Sequence, residues 1–254
     1  KMSAVSQAIR NTIIELQHLP SLSDFSLAGG TNLALQYNHR ISDDIDLFCP
    51  GIIGFAGWKQ IQQEVNAYFG TNAKSFDTPC DINDQFSFLR FFIAKEDELI
   101  KVEALQNMKQ LFESKTIHHI KMFDKMDIGL YKLVSVSNRT TKKDIYDLDF
   151  ITDDIPLITL YEKLQEKLAV FNKEEDKTIF DLDGQSSVIQ NLEVLIKFDE
   201  TMNLSKFPTH RHDTIKIMEG SKSWLEAKIS WKSKVRQLYH QLGVNFPKPK
   251  GRNI

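Results

Sequence analysis

The amino-acid sequence predicts an α+β fold: a mixed β-sheet flanked by helices in residues 1–120, and a mainly helical region in residues 121–254. Before residue 120, short strand-like segments alternate with segments of helical period. Beyond it, apolar residues recur mainly with helical spacing. With 254 residues, the chain has ample material for a buried core.

The bulk composition is that of an ordinary globular protein, and the formal net charge of -2 excludes no class of partner. No apolar run reaches the roughly 18 residues of a transmembrane helix. The N-terminus lacks the basic start and apolar block of a signal peptide. Cys49 and Cys80 are the only cysteines, which is unlike a secreted disulfide framework. We therefore expect a cytoplasmic protein with no membrane partner.

The first part of the chain is predicted to begin with a helix and a strand–turn–helix unit. Apolar side chains recur with helical spacing over residues 4–18. Residues 25–28 form a predicted short strand that leads into Gly29 and Gly30. Residues 31–37 continue as a helix. The glycine pair thus lies where a strand turns into a helix.

Three more strands and one amphipathic helix complete this part. The strand over residues 44–49 is closed by a Pro-Gly pair. Apolar spacing predicts a helix over residues 58–69. Two alternating strands, 86–93 and 98–105, are joined by the charged turn 95–97.

The second part is predicted to be helical between short breaks. Asp124 is the expected N-cap of a helix over residues 126–137, with Asp127 in the capping-box position. A polar break over residues 138–141 separates it from a helix over residues 143–151. Further helices are predicted over residues 157–171, 187–198 and 221–242, and a charged loop over residues 172–186.

The glycine pair and two following aspartates predict a site for phosphate and metal. The bare backbone of Gly29 and Gly30 at a helix start, with the Thr31 hydroxyl, can donate to a phosphate. Asp44 and Asp46 are one residue apart on a strand, so they point to the same face. Their oxygens are the hard ligands that Mg²⁺ or Mn²⁺ prefers. This combination suits a metal-dependent enzyme acting on a nucleoside triphosphate.

Each half of this pattern also has a plain structural explanation. Glycine pairs most often mark turns, and an Asp-x-Asp sequence is common. The remaining positions of the acidic strand are apolar, and paired acids in such a strand are costly without a cation. Glu103, in the alternating strand over residues 98–105, is the best-placed third carboxylate.

A second group of charged residues follows in the helical region. Lys132 shares a mostly apolar helix face with Arg139, from which a lysine can hold a triphosphate. Lys143, Asp144 and Asp147 have the spacing of a surface ion-pair ladder, and spacing alone favours that interpretation.

His39 and Arg40 lie between the predicted helix and the acidic strand. Their charge suits the steering of a phosphate or a base. A solvated loop, or a pair between Arg40 and Asp43, explains them equally well.

Taken together, these segments resemble the AbiEii/AbiGii toxin family of nucleotidyltransferases, a branch of the DNA polymerase beta-like superfamily. The residues that carry the resemblance are 27–31, 39–48, 127–132, Arg139 and 143–148. It covers roughly residues 20–155. It implies a nucleotidyltransferase-type mixed sheet with a helical C-terminal region that completes the active site.

The resemblance also implies an activity and partners. The activity is metal-dependent transfer of a nucleoside monophosphate from an NTP to an acceptor, either RNA such as tRNA or protein. Members act as toxins paired with an antitoxin, which implies a cognate antitoxin or a phage-defence role. The implied residue roles are metal binding by Asp44, Asp46 and Glu103, nucleotide binding by Gly29, Gly30, Thr31, Arg40, Lys132 and Arg139, and catalysis by Asp44, Asp46, Lys132, Asp144 and Asp147.

Two positions depart from the family pattern. Thr31 stands where serine is usual and keeps the hydroxyl, whereas Glu103 stands where aspartate is more usual. Two other functions are compatible with the sequence. One is a nucleotide-binding module that has lost transfer, and the other is an interaction protein that uses the fold as a scaffold.

The C-terminal helix bears on the acceptor. Residues 221–242 carry five basic residues against Glu226, and Trp224 and Trp231 lie seven positions apart. Basic charge with aromatic rings suits an RNA backbone and stacked bases. A packed helix with core tryptophans and solvated lysines explains the pattern as well.

Overall fold

A computed structural model of the chain describes residues 3–80, 82–138, 141–182, 184, 187–199 and 214–248. Within them, helices pack against a seven-stranded mixed β-sheet, and a mainly helical region follows. The predicted α+β fold is therefore confirmed. No helix of the described ranges is long and apolar enough to span a membrane.

The first part contains the predicted helices and strands, with shifted ends, and three further strands. Its helices are α1 (Gln7–Gln17), α2 (Gly29–Tyr37) and α3 (Gly54–Phe69). The strands are β1 (Ser26–Ala28), β2 (Asp44–Phe48), β3 (Ala73–Asp77), β4 (Phe88–Lys95), β5 (Glu98–Leu105), β6 (Lys115–Ile117) and β7 (Ile120–Met122). Helix α2 begins at Gly29 rather than at residue 31, so both glycines lie in its first turn. Strands β3, β6 and β7 lie outside the predicted elements.

The strand order is β3-β4-β5-β2-β1-β7-β6. Strand β2 lies in the middle, parallel to β5 and antiparallel to β1. The register sets Asp46 opposite Glu103 on β5 and opposite Ala28 on β1. Because Ala28 directly precedes α2, the N-terminus of that helix stands beside Asp46.

The second part begins with a helix that Asp124 caps as predicted. The helices of this part are α4 (Lys125–Asn138), α5 (Lys142–Asp154), α6 (Leu157–Val170) and α7 (Trp224–Gln241). The Asp124 carboxylate accepts from the backbone N–H of Met126 at 2.8 Å. The capping-box role of Asp127 is wrong, because its carboxylate accepts instead from the backbone of Leu111 and Phe112 and from Lys167.

The predicted helix over residues 187–198 is wrong. In the described stretch 187–199, the chain forms short 3₁₀ turns at Leu192–Leu195 and Lys197–Asp199. The Asn191 side chain accepts from the backbone N–H of Glu193, and such local bonds compete with a continuous helix. The apolar spacing there reflects the burial of Val188, Leu195 and Phe198 without a continuous helix.

Two clusters of buried side chains form the core of the described residues. The first joins α1 and α3 to one face of the sheet. The second joins the helices after residue 122 to Ala28, Leu33 and Phe48 of the first part. The division into domains at residue 120 stays a prediction.

Candidate functional site

A cavity of about 420 Å³ lies where β1 leads into α2. Its polar lining includes Gly29, Gly30, Asp46, Glu103 and Lys132. Much of the remaining lining is apolar and aromatic, from Phe48, Phe88, Leu105, Ile128, Tyr131, Ile179, Phe180 and Leu182. A charged end and an aromatic wall suit a ligand that carries both an anion and a ring.

Three neighbouring strands present charged side chains on one face of the sheet. The register pairs Asp44 with Lys101, Asp46 with Glu103, and Glu103 with Arg90. Side chains two positions apart on a strand share a face, so these residues all lie on the same face. A basic residue therefore lies opposite Asp44 and another opposite Glu103, whereas Asp46 lies opposite a second carboxylate.

Gly29 is the point at which α2 approaches Asp46. Its φ is +61°, and a Cβ there would overlap the Asp46 carboxylate. The left-handed backbone and the close approach both require glycine. The N-cap residue Ala28 has no polar side chain, so it leaves the first N–H groups of α2 available to an anion.

Thr31 is buried and links α2 to β2. Its hydroxyl lies 2.9 Å from the Ser42 hydroxyl and donates to the backbone oxygen of Asp44. These bonds fix the first turn of α2 against the acidic strand. The contact of Thr31 with phosphate stays a prediction.

Lys101 bridges two of the acidic side chains. Its Nζ lies 3.2 Å from Asp44 Oδ2 and 3.4 Å from Glu103 Oε2. Burial lowers the pKa of Lys101, but Glu103 and Asp44 outweigh burial and raise it above its ordinary value. Across the described ranges, no three His, Cys, Asp or Glu side chains form a group that could hold a metal ion. Lys101 offsets part of the negative charge of this acidic band, which consists of Asp44, Asp46 and Glu103.

The surroundings of Asp46 have an excess of negative charge. Burial and then the Glu103 carboxylate raise the pKa of Asp46 to about 6, although Lys101 acts to lower it. Glu103 lies beside Asp46, as the alternation of its strand predicts. Arg90 Nη2 lies 2.6 Å from Glu103 Oε1, so that carboxylate is already engaged. The role of Glu103 as a metal ligand stays a prediction.

Lys132 is held between two buried carboxylates of α5. Its Nζ lies 2.7 Å from Asp144 Oδ1 and 2.8 Å from Asp147 Oδ2. Burial lowers the pKa of Lys132, but the two carboxylates outweigh burial and raise it, so the amine stays protonated. The surface-ladder interpretation of Asp144 and Asp147 is therefore wrong.

Asp147 is the centre of this buried cluster. Its Oδ1 accepts from Arg40 Nε at 2.7 Å and lies 2.8 Å from His39 Nε2, and its Oδ2 accepts from Arg40 Nη2 at 2.7 Å. Burial raises the pKa of Asp147, but Arg40 and Lys132 outweigh it and hold that pKa well below its ordinary value. The solvated-loop interpretation of His39 and Arg40 is wrong, since both are buried. Arg139 lies outside the described residues.

The family description "Nucleotidyl transferase AbiEii toxin, Type IV TA system" matches residues 15–226, which is most of the chain. The chain belongs to the AbiEii nucleotidyltransferase toxin family. This AbiEii protein is 28% identical, over 159 residues, to an uncharacterised protein of Aquifex aeolicus (strain VF5). That match covers 59% of this chain and 68% of the relative.

A solved structure shares the fold of this AbiEii protein. MenT4, a nucleotidyltransferase toxin from Mycobacterium tuberculosis H37Rv, superposes with a TM-score of 0.50 at 15% sequence identity. The match covers 93% of this chain and 83% of MenT4. At this identity, the likeness shows the fold alone.

The sequence analysis missed two cations of the candidate site, Lys101 and Arg90. The signal for Lys101 was its position two residues before Glu103 on an alternating strand, which puts both on one face. Arg90 lies on the neighbouring strand β4, and its pairing with Glu103 depends on the register between β4 and β5. Register follows from the turn and from packing rather than from local pattern.

The C-terminal helix α7 packs against the second hydrophobic cluster. Trp231 is fully buried, and its Nε1 donates to the backbone oxygen of Leu195 at 2.8 Å. Lys222 and Lys234 form ion pairs with Asp149 on α5. These contacts favour the packed-helix interpretation over an RNA-binding surface.

Proposed function

We propose that this AbiEii protein is a metal-dependent nucleotidyltransferase that moves a nucleoside monophosphate from an NTP to an acceptor. The observation that carries the proposal is the single cavity that Gly29, Gly30, Asp46 and Lys132 all line. Transfer from a triphosphate needs phosphate donors, carboxylates for a cation and a counter-charge for the leaving group. Side chains of each kind meet at this cavity.

The cavity has room and chemistry for the donor nucleotide. The backbone N–H groups at the start of α2 would donate to phosphate oxygens, as helix N-termini do in other phosphate sites. The aromatic part of the lining, which includes Phe88 and Phe180, suits the base. Thr31 and Arg139 remain proposed nucleotide ligands.

The acidic strand supplies two carboxylates, the hard oxygen donors that a divalent cation prefers. Asp44 and Asp46 lie on one face of β2, where burial and then Glu103 raise the pKa of Asp46, and a bound cation would offset both effects. We propose these two as ligands, with Glu103 as a third once Arg90 and Lys101 release it. Bound Mg²⁺ or Mn²⁺ would neutralise the triphosphate and lower the pKa of the acceptor hydroxyl, the chemistry of a two-metal site.

The buried cluster of Lys132 on α4 and Asp144 and Asp147 on α5 would stabilise the leaving group. Lys132 is protonated and lines the cavity, so its ammonium would offset the charge that develops on the departing pyrophosphate. Asp144 and Asp147 would complete the site by holding Lys132 in place and in its charged form.

The acceptor and the partner remain proposals. We infer a cognate antitoxin because the family is described as a toxin of a type IV toxin–antitoxin system. An RNA acceptor such as tRNA, or a protein acceptor, is what the sequence resemblance implies. A role in phage defence belongs to the same proposal. Labelled NTPs incubated with total RNA and lysate identify donor and acceptor together.

The test of the reaction is Asp46→Asn, which removes the charge and keeps the shape. With Mg²⁺ and an α-labelled NTP, we expect wild-type protein to label an acceptor and Asp46→Asn to lose at least roughly 100-fold in rate, as for removal of transition-state charge stabilisation. Asp43→Asn, an exposed neighbour, is the matched control and is expected to keep full activity.

Retention of transfer by Asp46→Asn would overturn the proposed mechanism. A thermal-shift assay with Mg²⁺ and each NTP adds a binding readout, since a ligand that binds the folded state raises the melting temperature. Stabilisation without turnover on any acceptor would favour the binding-module alternative. No stabilisation by any nucleotide would contradict a triphosphate site.

A further inference from the structure

Arg40 is enclosed by the protein and has no position on the cavity wall. Its side chain is 5% exposed. Both Nε and Nη2 donate to Asp147 at 2.7 Å, and Nη1 lies 3.2 Å from the backbone oxygen of Ile41. Among the described residues that line the cavity are Gly30 and Lys132 but not Arg40. The guanidinium is therefore placed to act on its protein neighbours rather than on a ligand.

The Arg40 guanidinium stands between the two halves of the candidate site. On one side, it lies so close to Gly30 that a Cβ on Gly30 would overlap Arg40 Nη2. The guanidinium therefore packs against the first turn of α2. On the other side, it holds Asp147, which in turn contacts Lys132. One side chain thus links the proposed phosphate-binding turn to the proposed leaving-group cation.

The charges of this buried group are balanced. Arg40 and Lys132 are the cations, and Asp144 and Asp147 are the carboxylates. Of the two Asp147 carboxylate oxygens, His39 contacts Oδ1 alone, whereas Arg40 bonds both. The planar fork of arginine fixes both carboxylate oxygens, whereas a lysine in its place provides a single point charge.

We propose that Arg40 is a positioning residue that fixes Asp147, and thereby places the Lys132 ammonium at the cavity, a role that rests on the proposed function. Without the two hydrogen bonds from the Arg40 guanidinium, the Asp147 carboxylate rotates, and the Lys132 ammonium moves with it, away from the phosphates. This assignment replaces the nucleotide-binding role that the sequence predicts for Arg40. The two roles make opposite predictions for combined substitutions.

The test is a double-mutant cycle of Arg40→Lys and Lys132→Met, with rates expressed per folded molecule after a circular-dichroism check. We expect Arg40→Lys alone to lower kcat by roughly 10- to 100-fold, the loss typical of a displaced catalytic group, with KM for the NTP within about threefold. In the Lys132→Met background, we expect Arg40→Lys to change the rate by less than about threefold, because the effects of two substitutions that act through one group are not additive.

Arg10→Lys is the matched control for the arginine-to-lysine change. Arg10 bonds the backbone oxygen of Val5 and the Ser3 hydroxyl, and its substitution is expected to leave transfer unchanged. An equal loss for Arg40→Lys in both backgrounds would overturn the proposal. So would a rise in KM with unchanged kcat, which indicates direct binding of the nucleotide.

A crystal structure of Arg40→Lys tests the positioning without any assay. We expect Lys132 Nζ to move by about 1 Å or more from its place between the two carboxylates, a displacement large enough to matter for catalysis. An unmoved Lys132 would overturn the proposal even if activity falls. If wild-type protein transfers no nucleotide, the proposed function fails, while this structural comparison still decides the positioning role.

Discussion

Lys101 occupies the place beside two acidic side chains for which a divalent cation would compete. Its ammonium contacts Asp44 and Glu103, and its side chain is 31% exposed. We expect Lys101→Met to raise the affinity for Mn²⁺ in the absence of nucleotide roughly three- to tenfold, as for loss of a partly exposed competing charge worth about 1 kcal/mol. Titration calorimetry or Mn²⁺ electron paramagnetic resonance measures this.

The same substitution is expected to lower the free energy of unfolding in EDTA by about 0.5–1 kcal/mol, because the acidic band loses its counter-charge. Lys95→Met is the matched control. Lys95 pairs with Glu15 at 2.6 Å, away from this band, so its loss is expected to leave metal affinity unchanged. Weaker Mn²⁺ binding by Lys101→Met would show that Lys101 does not compete with metal.

Residues that share a face through the two-residue period of a strand were predictable, and pairs that depend on the packing of distant elements were not. Asp44, Asp46 and Glu103 follow from the two-residue period of strands, which the sheet register bears out. The contact of Arg40 with Asp147 joins residues 107 positions apart. No local pattern encodes such a pair, so spacing alone favoured a surface ladder for residues that are buried.

At the scale of elements, α4 is anchored by one buried carboxylate. Asp127 accepts from the backbone N–H groups of Leu111 and Phe112 at 2.9 Å, and Lys167 Nζ lies 2.9 Å away. We expect Asp127→Asn to lower the free energy of unfolding by roughly 3–5 kcal/mol, because it leaves Lys167 buried without its charge partner. Urea unfolding followed by circular dichroism measures this loss.

An exposed pair on α6 provides the control for that measurement. Lys163 and Glu166 lie 2.5 Å apart, and Glu166→Gln is expected to change the free energy of unfolding by no more than about 0.5 kcal/mol. Adding Lys167→Met to Asp127→Asn is expected to recover part of the loss, because it removes the unpaired charge. Equal effects of Asp127→Asn and Glu166→Gln would contradict the anchoring role.

Long elements with a clear period were predictable, and short or irregular ones were not. Helices α3 and α7 follow from apolar spacing that matches their buried faces. Strands β6 and β7 have three residues each, too few to establish a two-residue period. Residues 187–198 have helical spacing but form 3₁₀ turns, because burial can repeat every three or four positions without a continuous helix.

At the scale of the whole molecule, the two hydrophobic clusters share elements, and residues of the second cluster line the cavity. The second cluster takes Ala28, Leu33 and Phe48 from the first part of the chain. Arg40 of the first part pairs with Asp147 of the second. Separation of the two parts would therefore expose apolar surface and break buried ion pairs at once.

This shared core predicts a single cooperative unfolding transition, reported equally by Trp58 in the first cluster and Trp231 in the second. Trp58→Phe leaves the α7 tryptophans as probes, and Trp224→Phe with Trp231→Phe leaves Trp58. In each variant, we expect the urea midpoints from fluorescence and far-ultraviolet circular dichroism to coincide within about 0.2 M, as two-state unfolding requires. A Trp58 transition distinct from the circular-dichroism transition would show that residues 1–120 unfold as an independent domain.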